Sequence, residues 1–454
     1  MKGKKMDANF KIGYARVNIN PPLGIRFAGC FKPYVAKGVL DDIEAVAVAI
    51  ESDGKRAIVI SVDNCGIPKE IMTPMREAIS QSEGVPTEAI FVHSTHIHTG
   101  PMLLPDTGME IVEDYGVFLK HKLIAATRAA FDDLKPARMG IGTGEAKNVA
   151  FIRRYRMKDG RAMTNPGVNN PDIVAPIGTT DERVHVIRFE REGDVDVVIA
   201  SFANHPDVVG GEYVSADWPG MTRRFVEKIL DGAKCILLNG AQGDVNHVNV
   251  HPKAGDFNDM FHDFDGCSRG YGHARHIARV VTAAVMSVYD KVEWLEDHKL
   301  RYMQRFVDIN SNKPDPSEIP EASRIYDIWK SGRVDELPYE GMMKTTMVAN
   351  AFRVMKLKDA PETFPMLFSV ITIGSVALFG LPGEPFTGIG RGLKEAEGWK
   401  MVIPCCQTNA KEGYFPMKDS YDEGGYEAVS SNFKVGTAER IIDEGLKILA
   451  GMRD

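Results

Sequence analysis

The chain of 454 residues is organised around the stretch Ala89-Ile90-Phe91-Val92-His93-Ser94-Thr95-His96-Ile97-His98-Thr99-Gly100-Pro101. The apolar run before His93 is typical of a buried strand, and Gly100-Pro101 prevents a strand from continuing. We therefore expect the histidines to lie at the end of a strand. Because side chains on a strand alternate between its two faces, His96 and His98 should point the same way.

Two imidazoles on the same side of a strand end are suitable ligands for Zn²⁺, which binds histidine nitrogen and carboxylate oxygen. In the alternative interpretation, one histidine caps the strand and the others are solvated. The spacing His-x-x-His-x-His directly before Gly-Pro favours metal binding.

The composition is that of an ordinary globular protein, with 44% hydrophobic and 26% charged residues. A net charge of −7 argues against a nucleic-acid-binding protein, which usually has a basic surplus. No apolar run is long enough to cross a bilayer, so we expect no stable membrane insertion. The expected partner is a small-molecule substrate. The basic N-terminus has no apolar segment typical of a signal peptide, which predicts a cytoplasmic protein. Nothing in the sequence indicates an oligomeric state.

The cysteines are scattered and show no Cys-x-x-Cys spacing, which predicts reduced thiols rather than a disulfide framework. The six positions are Cys30, Cys65, Cys235, Cys267, Cys405 and Cys406.

The order of elements predicts an α/β fold with mixed β-sheets flanked by helices. A strand over 57–62, a helix over 68–82 and the histidine strand suggest a βαβ unit, whose ligands gather at the carboxyl ends of its strands. A helix over 117–134 should end before Pro136. The polar, mostly helical segment 310–358 is typical of an insertion or a lid.

Polar side chains follow several predicted strands, and strand ends in an α/β sheet can meet in one crevice. The residues concerned are Asp63, His96, His205, Asp244 and Glu384. We expect them to converge.

Five short motifs in this order resemble the neutral/alkaline (non-lysosomal) ceramidase family. They are Ser94-Thr95-His96-Ile97-His98-Thr99-Gly100-Pro101, Phe202-Ala203-Asn204-His205-Pro206, Ala241-Gln242-Gly243-Asp244-Val245, Leu381-Pro382-Gly383-Glu384 and the segment from Asn409 through Tyr414 to Tyr426-Glu427-Ala428. The resemblance covers about residues 13–449 and is to the family's N-terminal catalytic domain. It implies one large catalytic domain over 1–454, a possible lid at 310–358, and no counterpart of the family's C-terminal immunoglobulin-like domain.

Carried over residue by residue, the resemblance implies a zinc site and a set of groups around it. The implied zinc ligands are His96, His205, Glu384 and Tyr414, and the implied substrate contacts are His98, either Arg153 or Arg154, and Tyr426. We also include Asp244 among the candidate catalytic residues. Two imidazoles, a carboxylate and a weakly held phenol leave zinc an open position, as a catalytic site requires.

The expected function is a zinc-dependent hydrolase that cleaves an amide bond in a small or amphiphilic substrate. The alternative is a metal-dependent hydrolase of an ester or glycosidic bond in a polar soluble substrate, with His98, Asp217 or Asp244 as general acid. A third hypothesis is an inactive binding protein on the same scaffold. The chain has Met102-Leu103-Leu104 where the family usually has glycines, and Asn246-His247 where it tends to have Ser-Pro. The apolar segment 102–104 should narrow the crevice, which predicts a substrate more polar than ceramide.

Overall fold

The computed structural model of the chain describes residues 6–29, 34–105, 108–253, 261–262 and 268–453. The first twelve strands are β1 (Asp7–Asn18), β2 (Gly38–Val39), β3 (Glu44–Ser52), β4 (Lys55–Val62), β5 (Ile90–Ser94), β6 (Lys135–Glu145), β7 (Phe151–Ile152), β8 (Arg154–Met157), β9 (Ala162–Thr164), β10 (Ile173–Pro176), β11 (Arg183–Arg191) and β12 (Val197–Phe202). The others are β13 (Tyr213–Val214), β14 (Lys234–Asn239), β15 (Val245–Asn246), β16 (Phe261–His262), β17 (Ser268–Arg269), β18 (Glu293–Leu295), β19 (Leu300–Asn310), β20 (Thr363–Ile373), β21 (Val376–Gly380), β22 (Glu384–Pro385), β23 (Met401–Cys405) and β24 (Tyr414–Phe415).

The α-helices include both long core helices and short segments beside the candidate site. They are α1 (Lys69–Glu83), α2 (Glu110–Asp132), α3 (Asp217–Ile229), α4 (Tyr271–Tyr289), α5 (Ile319–Lys330), α6 (Gly341–Leu357), α7 (Thr387–Lys394), α8 (Asp419–Glu423), α9 (Tyr426–Ser430) and α10 (Thr437–Gly451).

The large sheet is mixed and has the order β14-β12-β11-β6-β1-β3-β4-β5, with β18 also paired to β6. Two of its strand pairs, β4 with β5 and β12 with β14, are parallel. The predicted βαβ unit is therefore confirmed as β4-α1-β5. The segments that contain His96 and His205 follow the carboxyl ends of β5 and β12.

Strand β3 shows how the large sheet is covered on both faces. Val46, Val48 and Ile50 point into a core shared with the second sheet, whereas the intervening alanines pack in the core formed with α1 and α2. The small side chains allow α2 to approach closely. At Gly13 on β1, a Cβ would lie 1.9 Å from the carbonyl oxygen of Ala130 on α2, so only glycine fits there.

The second sheet has the order β19-β20-β21-β23, and its inner face packs against the large sheet. Its outer face is covered by α7 and α10. The molecule thus has four layers in the order helices, sheet, sheet, helices. This arrangement confirms the predicted class of mixed sheets flanked by helices.

Strand β6 was not expected from the sequence. The predicted helix does end before Pro136, but β6 begins at Lys135 and contains that proline. Its glycines reduce its strand propensity, yet they lie where α4 packs closest: a Cβ at Gly144 would be 2.3 Å from the Ala284 carbonyl oxygen. Tertiary packing therefore determines this strand.

Segment 310–358 is mostly helical, as predicted. Helices α5 and α6 pack together, and α6 also packs against α9. A lid function for this segment stays a prediction, as does its place in a single domain over 1–454. Among the helices that the structure describes, none combines the length and the apolar character needed to span a bilayer.

Four cysteines lie in the described part of the chain, where they are buried and form no disulfide. They are Cys65, Cys235, Cys405 and Cys406. Cys30 and Cys267 lie outside the described residues.

Candidate metal centre

His96 and His98 lie close together, although not through strand alternation as predicted. Strand β5 ends at Ser94, and His96 has a left-handed backbone with φ of 75°. The Nε2 atom of His98 is nevertheless 3.4 Å from Nε2 of His96. The loop conformation after β5 brings the two imidazoles together.

Backbone carbonyls fix the orientation of His96 and His205. Nδ1 of His96 lies 2.5 Å from the Cys65 carbonyl oxygen, and Nδ1 of His205 lies 3.3 Å from that of Gln242. Because each Nδ1 faces an acceptor, each Nε2 is left for another partner. The two Nε2 atoms are 3.1 Å apart. His205 follows β12, so both predicted strand ends supply a donor to one point.

Glu384 completes a buried trio with these two imidazoles. Its Oε2 atom is 3.1 Å from Nε2 of His96 and 3.8 Å from Nε2 of His205. The Gln242 amide donates to the same oxygen at 3.4 Å. The two-residue pairing of β22 with β24 sets Tyr414 directly beside Glu384. Tyr414 therefore lies at the edge of the trio, as the resemblance implied.

The donor set fits a divalent metal ion such as Zn²⁺. Two imidazole nitrogens and a carboxylate oxygen, each within 3.8 Å of the others, are nitrogen and oxygen donors of the type zinc prefers. All three residues are buried, and such a cluster of electron pairs is stable only around a positive charge.

The electrostatics of the trio agree with this conclusion. Burial alone would lower the pKa of His96, but the Glu384 carboxylate and Cys65 together outweigh burial and raise it to about 10. Burial would raise the pKa of Glu384, whereas His96 and His205 hold it well below its ordinary value. The cluster therefore attracts positive charge.

The neighbouring arginines point in different directions. Arg153 donates from Nη2 to the Gly243 carbonyl oxygen at 2.8 Å, and its guanidinium carbon lies 5.4 Å from the centre of the Tyr414 ring. Arg154 donates to Ser420 at 2.7 Å and to the Gly424 carbonyl oxygen at 2.9 Å. Arg153 is thus the arginine beside the candidate ligands, and Arg154 fastens the α8 segment.

Tyr426 lies beside Tyr414, and His98 lies beside His96 and His205. The rings of Tyr414 and Tyr426 meet edge to face with centroids 5.5 Å apart. Burial and then the Glu384 carboxylate raise the pKa of both phenols. Burial and the neighbouring His96 lower the pKa of His98 to about 3.

Three predicted carboxylates are held by contacts away from the trio. Asp244 accepts from the backbone N and the hydroxyl of Thr387, at 2.7 and 2.9 Å. Asp63 forms a two-pronged ion pair with Arg223. Asp217 accepts from the backbone of Val209 and Trp218. The expected convergence therefore holds for His96, His205 and Glu384, whereas Asp63 and Asp244 fix neighbouring segments.

The segment 102–104 does not act as predicted in one respect. Leu103 is buried in the core that α2 forms with the large sheet, where its side chain lies beside Gly116 of that helix. Leu104 is 45% exposed. Because Leu103 is buried in this core, it does not contribute to the narrowing of the crevice that we expected from the three side chains.

Sequence reasoning assigned no role to three residues that contact the site. These are Cys65 and Gln242, which orient the imidazoles, and Glu427, which forms an ion pair with Arg153 at 2.7 Å. Gln242 and Glu427 belong to motifs on which the resemblance depends. Their place in those motifs was the only sequence feature that could have indicated a role at the site. Their partners are distant in sequence and emerge only from the fold.

Part of the chain is similar in sequence to known neutral ceramidases. The chain is 26% identical to neutral ceramidase B of Dictyostelium discoideum over 199 residues, and 25% identical to neutral ceramidase A of the same organism over 224 residues. The aligned parts are 41% and 45% of this chain. They span only 26% and 30% of the length of those relatives. No family model matches the chain.

The fold likeness extends much further than the sequence likeness. The crystal structure of neutral ceramidase from Pseudomonas aeruginosa matches 98% of this chain and 75% of its own, with a TM-score of 0.73 and 16% identity. A structure described as ceramidase complexed with C2 matches 98% of this chain and 76% of its own, with the same TM-score and 17% identity. The predicted resemblance to neutral ceramidases is thus confirmed, in sequence over part of the chain and in fold over nearly all of it.

Proposed function

We propose that the protein is a zinc-dependent hydrolase that cleaves an amide bond. The observation that carries this proposal is the buried trio of His96, His205 and Glu384, with donor atoms 3.1 to 3.8 Å apart. The named activity of the ceramidases that it resembles, which act on an amide, supports the choice of bond.

The trio and Tyr414 would hold the metal ion. When bound, zinc supplies Lewis acidity: it polarises a carbonyl group and makes hydroxide available near neutral pH. The backbone carbonyls of Cys65 and Gln242 hold Nδ1 of each imidazole and would leave Nε2 available to the ion. Gln242 also holds the Glu384 carboxylate through its side-chain amide.

Arg153, His98 and Tyr426 would act on the substrate. A fixed donor aimed at the carbonyl oxygen stabilises the negative charge that develops when hydroxide adds. Arg153 is charged, only 5% exposed and adjacent to Tyr414, which suits this role. His98 lies beside His96 and Tyr426 lies beside Tyr414, and both would contact the substrate near the cleaved bond.

The alternative of an ester substrate fits the same residues, because an ester carbonyl develops the same charge. A glycosidic bond has less support, since it needs a general acid. In the described structure both oxygens of Asp244 bond Thr387, and those of Asp217 bond backbone nitrogens. A cytoplasmic location and a substrate more polar than ceramide stay predictions.

The test combines metal analysis with a substrate panel. We expect about one zinc per chain in the purified protein, and loss of that metal in His205→Ala and Glu384→Gln. The matched control is His121→Ala, which changes an exposed histidine on α2 and should keep the metal. Full metal content in both site variants would refute the proposed ligands.

The panel compares short-chain and long-chain ceramides, water-soluble amides, esters and glycosides at equal metal loading. We expect amides to be hydrolysed fastest. Faster turnover of glycosides would refute the proposed reaction, and preference for long-chain ceramide would refute the prediction of a more polar substrate.

A further inference from the structure

Glu427 is a fully buried carboxylate on α9, beside the candidate site. A buried charge is stable only when it is paired and hydrogen-bonded. One oxygen, Oε1, lies 2.7 Å from Nε of Arg153. The other, Oε2, accepts from the Thr164 hydroxyl at 2.7 Å and lies 3.8 Å from Nε of Arg154. Its closest charged partner is therefore the arginine next to Tyr414.

Two of the three guanidinium nitrogens of Arg153 contact Glu427 or the Gly243 carbonyl oxygen, and the third, Nη1, contacts neither of them. Nε faces Glu427, and Nη2 donates to the Gly243 carbonyl oxygen at 2.8 Å. Its backbone N also donates to the Asp244 carbonyl oxygen at 3.0 Å, which fixes the start of the side chain. The Nε contact is an ion pair without hydrogen-bond geometry, whereas Nη2 is hydrogen-bonded, and the guanidinium also interacts with the Tyr414 hydroxyl. Because a guanidinium is planar, the ion pair at Nε and the hydrogen bond at Nη2 together restrict where the third nitrogen, Nη1, points. Glu427 thus sets the direction of the guanidinium.

The same short helix joins the anchor to the site wall. Tyr426 precedes Glu427 on α9, and its ring contacts that of Tyr414. Helix α6 packs against α9 and limits its movement. A shift of Glu427 would therefore change the positions of Arg153 and Tyr426 together.

We propose that Glu427 is a positioning residue that aims Arg153 at the carbonyl oxygen of the substrate. This inference rests on the proposed hydrolysis and names the residue that makes its charge-stabilising donor effective. A purely structural ion pair would contribute to stability alone and would not affect binding or turnover.

The first experiment compares Glu427→Gln with Glu423→Gln. Glu423 is the matched control, because it pairs with Arg154 and Arg156 and not with Arg153. We expect Glu427→Gln to keep its zinc and to lose on the order of 10² to 10³ in kcat, the usual effect of losing an aimed donor. Glu423→Gln should stay within about twofold, because the donor beside Tyr414 is intact.

The second experiment uses chemical rescue, which also covers the case in which Glu427→Gln does not fold. Millimolar guanidinium should restore part of the activity of Arg153→Gly, because Glu427 can hold the free ion. It should not restore the Arg153→Gly/Glu427→Gln variant, which removes both charges and so leaves no unpaired charge buried. Equal rescue of both variants would overturn the inference.

The third measurement does not depend on turnover. Butanoate offers a carboxylate to Arg153, and its dissociation constant should rise at least tenfold in Glu427→Gln and stay unchanged in Glu423→Gln. If the wild type hydrolyses no amide but this difference is found, the proposed function fails and the positioning role stands. If Glu427→Gln keeps both its kcat and its butanoate affinity and only unfolds at a lower temperature, the pair is structural and the inference is wrong.

Discussion

His96 holds a backbone conformation that residues other than glycine rarely adopt. Gln407 and Asn409, which follow β23 close to His96, have φ of 45° and 61°. Such residues cost about 1 to 3 kcal/mol each and persist where the surrounding structure holds them. Three of the nine described non-glycine residues with positive φ thus lie in or next to the candidate site.

This strain predicts a difference between two variants of His96. Both His96→Ala and His96→Gly remove a metal donor, but only glycine accepts φ of 75° without a steric penalty. In the presence of a chelator, His96→Gly should be more stable than His96→Ala by about 1 kcal/mol. Urea unfolding of the two variants is the measurement. Equal stability, or a more stable alanine variant, would mean that the backbone relaxes when the imidazole is removed.

Individual site residues were predictable to different degrees. His96, His205 and Glu384 stand out because each follows an apolar strand and offers a metal-binding atom. Asp63 and Asp244 satisfy the same pattern, yet both serve as structural anchors. The pattern records the end of a strand, whereas the direction of the side chain depends on partners far away in sequence.

At the scale of elements, Asp63 and Arg223 join α3 to the large sheet. Both side chains are fully buried, and Arg223 approaches the two carboxylate oxygens at 2.9 and 2.5 Å. The same carboxylate accepts from the backbone N of Glu44 and from the Thr95 hydroxyl. The segment between β5 and His96 is therefore fixed to α3 through a single side chain.

Loss of Asp63 should consequently destabilise the fold strongly. Asp63→Ala removes the closer of the two carboxylates that pair with the buried Arg223 guanidinium and leaves only Glu44, at 3.3 Å. Removing one partner of a buried ion pair typically costs 3 to 5 kcal/mol, and because Glu44 remains we expect a loss of about 3 kcal/mol in urea unfolding. The matched control is Asp443→Ala, which removes an exposed pair with Lys447 and should not change the unfolding midpoint. A similar midpoint for both variants would show that water or another group replaces the partner of Arg223.

Element boundaries were predictable where apolar periodicity determines them. The helix predicted over 68–82 is α1, Lys69–Glu83, and the strand predicted over 57–62 is β4, which ends at Val62 as predicted. Strand β6 was missed because its glycines suit close packing and not a strand in isolation: a Cβ at Gly140 would meet Val292, and one at Gly144 would meet Ala284 of α4. Arg153 and Arg154 could not be separated either, because adjacent residues in an irregular segment give no periodic signal.

At the scale of the whole molecule, buried neutral histidines link stability to pH. His93 bridges three strands, with Nδ1 2.7 Å from the Cys406 carbonyl oxygen and Nε2 accepting from the backbone N of Asn239. Burial lowers its pKa to about 4. Burial and Lys394 lower that of His185 to about 3. Both imidazoles are therefore neutral in the fold at pH values where the unfolded chain would protonate them.

The sign of the effect follows from proton binding. Below the ordinary histidine pKa of 6.5 the unfolded state binds more protons, so the free energy of unfolding falls as pH decreases towards the folded pKa values. We expect a loss of roughly 2 kcal/mol per histidine between pH 7.5 and pH 5. In His185→Met, the loss of unfolding free energy over this pH range should be smaller by the contribution of one histidine, roughly 2 kcal/mol. An identical pH dependence in the variant would mean that His185 is protonated, or exposed, in the folded state.

The donors of the candidate centre come from two sheets that are far apart in the order of synthesis. His96 and His205 follow strands of the large sheet, whereas Glu384 and Tyr414 follow strands β21 and β23 of the second sheet. A ribosome-bound chain that has emerged only to residue 300 carries both imidazoles and neither oxygen ligand. The proposed zinc site would therefore become complete only once β22 and β24 have been synthesised and have paired beside the large sheet.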